Sequence, residues 1–320
     1  MKLSTLAFAA FGATLASTLA TPAFALPDVV FVDPNTGQDT NACTAAAPCL
    51  TLNHAQTAVN DPGTIIVVSS GTLSPVTITS GLTIACPGVV CLIDSSANFN
   101  GSGTVAVTIN APNKSVSLNG VSISGFATGT TGIAVTDVTK VELKNTSISG
   151  EQNGIIFAPA NGTNSHLYLM DSEVRNSSVR QIWIAPTGSN TASAEFTRSR
   201  VHHGAAGFIA DATAGTGGVS VVISESTIGF ANNNDVAALG NASGAGARVM
   251  IQNSTISHSS ANCIWANNAT AQIALSKTMV TQCTNALAQT GGGTIFTYGD
   301  NAIHFNSSDG STPVTAGGFR

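Results

Sequence analysis

Six residues between positions 171 and 203 carry the most reactive side chains that recur at a fixed interval in this sequence: Asp171, Glu173, Arg198, Arg200, His202 and His203. A carboxylate such as Asp171 or Glu173 can act as general base or metal ligand. An arginine such as Arg198 or Arg200 can clamp a ligand carboxylate, and His202 or His203 can move a proton near neutral pH. Asp171 and Arg198 are 27 residues apart, as are Glu173 and Arg200, and Arg175 and His202. If one winding of the chain takes about that many residues, most of these stacked pairs carry opposite charges. Cross-strand pairs of this kind contribute only about 0.2–1 kcal/mol each and are what sheet stacking selects anyway. The sequence therefore favours a surface ion-pair ladder over a catalytic cluster, because adjacent acids without a basic partner do not occur there.

The elements that must position these residues follow from an internal repeat. One pattern recurs seven times: apolar, any, apolar, any, a mostly polar two-residue step, any, then Ile or Val. It ends at Ile123, Ile148, Val174, Val201, Ile228, Ile256 and Val280, spaced 24 to 28 residues apart. A second short apolar strand follows each anchor, as in Gly154–Phe157, Gln181–Ile184 and Cys263–Trp265. The apolar period is two, which excludes a helical solenoid, and the leucine-rich signature is absent. The expected fold is all-β: a single-stranded parallel β-helix, taken as right-handed on the preference of chain chirality together with the family resemblance given below. Leu143, Ile148, Ile155 and Phe157 of one winding should stack on Leu169, Val174, Ile182 and Ile184 of the next. The polar steps Asn145-Thr146, Asp171-Ser172 and Asn253-Ser254 are the sharp bends, where such side chains bond their own backbone.

Alternation then fixes an outward column of Ala134, Ile156, Trp183, Ile209, Ala237, Trp265 and Ala288, which holds no acid, base or metal ligand. Trp183 and Trp265, three windings and about 14 Å apart at ~4.8 Å per strand, with Ile156 and Ile209, form either a platform for planar ligand faces or a stripe packed beneath loops.

Only 8% of residues are charged, with 11 basic against 16 acidic and no basic cluster, so nucleic acid is not an expected partner. Residues 1–25 read as an export signal: Lys2, a small and apolar stretch from Leu3 to Leu19, and the Ala23-Phe24-Ala25 cleavage site. No later run has the ~20 apolar residues of a membrane span. Extracellular or periplasmic location follows. Cys43 with Cys49, Cys86 with Cys91, and Cys263 with Cys283 lie close in sequence, without zinc or redox spacing, and point to disulfides in an oxidising compartment, with about 15 connectivities open to six cysteines. No metal or cofactor is expected. The expected organisation is residues 26–60 as N-terminal strand and capping helix, 61–290 as coils, and 291–320 as a closing tail.

The N-terminal part resembles the pectin-lyase-like family of right-handed β-helices: Val30-Phe31-Val32-Asp33-Pro34-Asn35-Thr36-Gly37 its opening strand, Pro48 to Val59 its capping helix with Leu50, Leu52, Ala55 and Val59 inward, and Pro62 to Val68 its first coil. The resemblance implies contact with polysaccharide. Family enzymes carry carboxylates, or calcium with Arg or Lys, on the outer sheet face. Here Asn232-Asn233-Asn234-Asp235 only faintly echoes the polygalacturonase Asn-Thr-Asp element, whose companion motifs are missing. The reading is an exported, non-enzymatic protein contacting polysaccharide or cell envelope. Its alternative is a polysaccharide lyase or glycoside hydrolase acting on acidic glycans through the 171–203 cluster.

Overall fold

The computed structural model describes residues 25–96, 104–160, 164–242 and 244–315. The expected export signal therefore lies outside the described residues, apart from Ala25. The chain winds into a parallel β-helix whose rungs each supply one strand to three sheets. A representative rung comprises Asn164–Met170 in the first sheet, Glu173–Arg175 in the second and Arg180–Ile184 in the third. The next is Thr191–Thr197, Arg200–Gly204 and Phe208–Asp211, each pairing in parallel with the strand below it.

The repeat anchors stack as their spacing requires. Ile123, Ile148, Val174, Val201, Ile228, Ile256 and Val280 are direct register partners from rung to rung, and none is more than 2% exposed. Leu143, Leu169, Phe196, Ile223 and Ile251 form a second interior column, and Ile155, Ile182, Phe208, Val236 and Ile264 a third. Burial of one such side chain contributes about 1.5–3 kcal/mol, so the columns are the main source of stability.

The bend between first and second sheets combines strain with compensation. Asn145, Asp171, Arg198, Glu225, Asn253 and Lys277 all adopt left-handed backbone, with φ between 47° and 50°. That conformation costs an ordinary L-residue about 1–2 kcal/mol. The hydroxyl that follows four of these six bends offsets it: Ser172 Oγ accepts from Thr146 N at 3.0 Å, Ser199 Oγ from Ser172 N at 3.2 Å, Ser226 Oγ from Ser199 N at 3.1 Å and Ser254 Oγ from Ser226 N at 3.1 Å. Each of these hydroxyls also donates to the carbonyl two residues before it. This buried ladder accompanies Arg198 and Glu225 at corners where Asn or Asp would be the usual choice, and after Lys277 the amide of Thr278 donates instead to Asn301 Oδ1 at 2.9 Å.

Two expectations are corrected at the ends. The helix expected over Pro48 to Val59 is confined to Leu52–Ala55, N-capped by Thr51, whose Oγ1 accepts from His54 N at 3.1 Å. Leu52, Ala55 and Val59 are buried but Leu50 is 41% exposed. The cause is Asp39, whose carboxylate accepts from both Leu50 N and Thr51 N at 2.9 Å and keeps the chain extended before the cap. Beyond residue 291, where a loose tail was expected, Thr294–Thr297, Ala302–His304, Ser308–Gly310 and Val314–Thr315 continue the three sheets. Ile295 and Ile303 extend the interior columns there. The disulfides are Cys43–Cys49, Cys86–Cys91 and Cys263–Cys283. Among the described residues no helix is long and apolar enough to cross a membrane.

Candidate functional site

The register brings the charged residues of positions 171 to 203 together, with Asp171, Glu173, Arg198 and Arg200 lining one open hollow, and two ion-paired groups form among them. Arg198 grips Asp171 in a two-point bridge, Nε donating to Oδ1 at 2.7 Å and Nη2 to Oδ2 at 3.0 Å. The guanidinium holds the Asp171 carboxyl below its usual range. One residue pair further on, Glu173 meets His202 Nε2 at 2.8 Å through Oε1 and Arg175 Nε at 3.3 Å through Oε2. Arg200 stands in register with Glu173 and is exposed. Asp171 and Glu173 are thus each committed to a basic neighbour, the arrangement of a ladder.

His202 also contacts His203 ring to ring, Nδ1 against Nδ1. His203 begins a stack with Phe230 and His258, with centroids 4.6 Å and 4.2 Å apart and planes within 11°. Because the rings lie face to face along the solenoid axis, their faces are mostly spent on one another.

On the third sheet, Ala134, Ile156, Trp183, Ile209, Ala237, Trp265 and Ala288 form one outward column. Ala237 is buried and the others are half-buried. Arg180 lies over the Trp183 ring at 4.3 Å, and the Trp183 indole donates to Asp211 Oδ2 at 3.1 Å. The Trp265 indole donates to Thr290 Oγ1 at 2.8 Å.

The first sheet carries a surface that sequence reasoning missed. Its outer face presents two adjacent columns. One is Ser115, Lys140, His166, Ser193, Ser220, Arg248, Gln272 and Thr294. The other is Glu142, Tyr168, Glu195, Val222, Met250, Ala274 and Phe296. A cavity of about 560 Å³ is lined by His166, Ser193, Ser220, Arg248 and Gln272, with Asn164, Thr191, Thr216 and Thr270 at its margin. Smaller hollows adjoin along the same face, at Ser115, Lys140 and Glu142 and at Tyr168, Glu195 and Val222. Within the groove Ser193 Oγ bonds His166 Nδ1, and Arg248 Nε donates to Gln272 Oε1 at 3.3 Å. Glu142 is paired with Lys140 at 3.3 Å. The legible signal was the residue immediately before each repeat, which alternation places outward.

Two carboxyls are buried at the corner between second and third sheets. Glu151 accepts from Ser95 Oγ at 2.8 Å, and burial with the nearby Asp94 charge raises it to about 7. Asp235 accepts from Ala231 N at 3.0 Å, and burial raises it to about 8. Its other oxygen lies 3.5 Å from Cys263 Sγ, a disulfide sulfur with no proton to donate. Asp235 with Cys263 and Cys283, and His54 with Cys43 and Cys49, bring three ligand-type atoms together, but both cysteine pairs are spent as disulfides.

No family model matches the sequence, and no curated protein matches it. Solved structures do. The crystal structure of pectate lyase Pel9A superposes with a TM-score of 0.57 over 90% of this chain and 79% of its own, at 13% identity. The A-module of mannuronan C-5 epimerase AlgE4 from Azotobacter vinelandii gives 0.50 over 83% and 93%, at 10% identity. The likeness is one of fold: this chain has the pectin-lyase-like parallel β-helix.

Proposed function

We propose that this chain is an exported β-helix protein that binds a linear, carboxylate-bearing polysaccharide along the outer face of its first sheet and does not cleave the glycan backbone. The observation that carries this reading is the unbroken outward column from Ser115 to Thr294, seven register steps or about 34 Å at ~4.8 Å per rung, hollowed into the cavity between His166 and Gln272. A polymer fits such a groove better than a small compact ligand. Hydroxyl and amide side chains on its floor suit sugar hydroxyls, Tyr168 offers a ring face, and Arg248 has no acidic partner among the described residues. Pel9A and AlgE4, a pectate lyase and a mannuronan epimerase by name, are consistent with a glycan ligand. Disulfides and the N-terminal segment support export. The lyase or hydrolase alternative would use the 171–203 cluster, where Asp171 and Glu173 are already held by Arg198, Arg175 and His202.

Calorimetric titration with polyuronates and neutral glycans tests this. A charge-assisted hydrogen bond contributes about 1.5–3 kcal/mol, so Arg248→Ala should weaken polyuronate binding about 10- to 100-fold. Trp183→Ala and Trp265→Ala should bind as wild type. Loss of binding in the tryptophan variants alone would move the surface to the third sheet, and no binding to any glycan would remove the reading. Release of unsaturated or reducing ends would favour the lyase or hydrolase.

A further inference from the structure

We propose that the same groove holds an acyl-hydrolase centre, with Ser193 as nucleophile and His166 as its general base, that removes O-acyl esters from the bound glycan. The substrate assignment rests on the binding reading above; the centre itself rests on geometry. Ser193 and His166 are register partners on adjacent first-sheet strands, and their Oγ and Nδ1 atoms are in hydrogen-bond contact. With the imidazole proton on Nε2, Nδ1 is free to take the serine proton, the relation that turns a weak hydroxyl into a nucleophile. Both residues are half-buried in the 560 Å³ cavity, not on a flat face. Their positions are fixed from inside, since Ser165 and Leu167 flank His166, Ala192 and Ala194 flank Ser193, and all four are buried. The Tyr168 ring lies beside the imidazole, with centroids 6.4 Å apart and planes within 18° of parallel. Arg248, two rungs above Ser193 and so about 10 Å away along the axis, can hold a carboxylate of the glycan while an ester lies at the serine.

The reaction needs only water as co-reactant. Ser193 Oγ bonds to the acyl carbonyl carbon while its proton passes to His166 Nδ1. The bond from that carbon to the sugar oxygen then breaks, and the sugar oxygen takes the proton. Water attacks the acyl-serine, its proton moves to His166, and the acyl–Oγ bond breaks. The proton returns to Ser193, leaving a free sugar hydroxyl and a carboxylic acid.

The test uses the purified secreted protein with 4-nitrophenyl acetate, acetylated polygalacturonate and a fluorophosphonate probe. Wild type should release acetate from both substrates and carry the probe on Ser193 by peptide mass mapping. His166→Gln should lower turnover and labelling at least 100-fold, within the range general-base catalysis supplies, and Ser193→Ala should abolish labelling. Both variants should keep the wild-type urea-unfolding transition, which shows that they fold. A wild type that releases no acetate and is not labelled, or labelling undiminished in His166→Gln, overturns the proposal. Polyuronate binding without acetate release sinks this proposal alone. Labelling at Ser193 without any glycan binding sinks the binding reading and leaves the centre standing.

Discussion

Asn in place of Asp235 should make the protein more stable above neutral pH and remove most of its pH dependence there. The Asp235 carboxyl is buried, accepts a single N–H from Ala231, and is raised to about 8 from an ordinary value of 3.8. The folded state therefore keeps this proton across a range where the unfolded chain has lost it. Since it binds more protons than the unfolded state, stability is fully present below about pH 4 and falls as pH rises towards about 8. Between pH 5 and pH 8 the decline is about 4 kcal/mol, from three units at about 1.36 kcal/mol each. Asn keeps the oxygen that accepts from Ala231 and never ionises, so the difference between variant and wild type should grow by that amount from pH 5 to pH 9. Glu151, raised to about 7, adds its own decline between about pH 4.5 and 7, but it is common to both proteins and cancels. Urea unfolding at pH 5, 7 and 9 measures the difference. A constant gap between variant and wild type would refute the reasoning, as would a wild type equally stable at pH 5 and 9.

Other substitutions probe separate parts of the structure. Ser199→Ala removes the acceptor for Ser172 N and leaves that N–H buried; it should cost about 1–3 kcal/mol, and a loss near zero in urea unfolding would argue against the hydroxyl ladder. Ile228→Ala opens a void between Val201 and Ile256 and should cost about 2–5 kcal/mol, whereas a surface position would show almost nothing. Arg198→Ala breaks the exposed bridge to Asp171; polyuronate affinity should stay within twofold and thermal stability should barely change. A large loss of binding would return the 171–203 cluster to the functional surface.

The interior was legible because period-two alternation, repeated at nearly constant length, leaves one choice for each inward side chain. Ile148, Val174, Val201 and Ile228 could be aligned from spacing alone. The Ser or Thr after each bend was legible as turn chemistry, although its neighbour's left-handed backbone at Arg198, Glu225 and Lys277 was not, because those residue types do not ordinarily mark a corner. The groove escaped notice because an outward column needs only solvent compatibility. His166, Ser193, Ser220, Arg248 and Gln272 span four residue types, so no single letter recurring at every rung announces them. Asp235 and Glu151 lie in corner segments, where alternation lapses and in cannot be told from out. Leu50 and the last windings differed for local reasons: Asp39 outcompetes helix formation at one, and Ile295 and Ile303 prolong the core at the other.

Hydroxyl-radical footprinting with and without a bound oligouronate tests the polysaccharide groove most directly, because histidine, tyrosine, methionine and tryptophan are the side chains such radicals report best. Binding along the first sheet predicts protection of His166, Tyr168 and Met250, with Trp183 and Trp265 unchanged. Protection of the two tryptophans while His166, Tyr168 and Met250 stay fully reactive would contradict it.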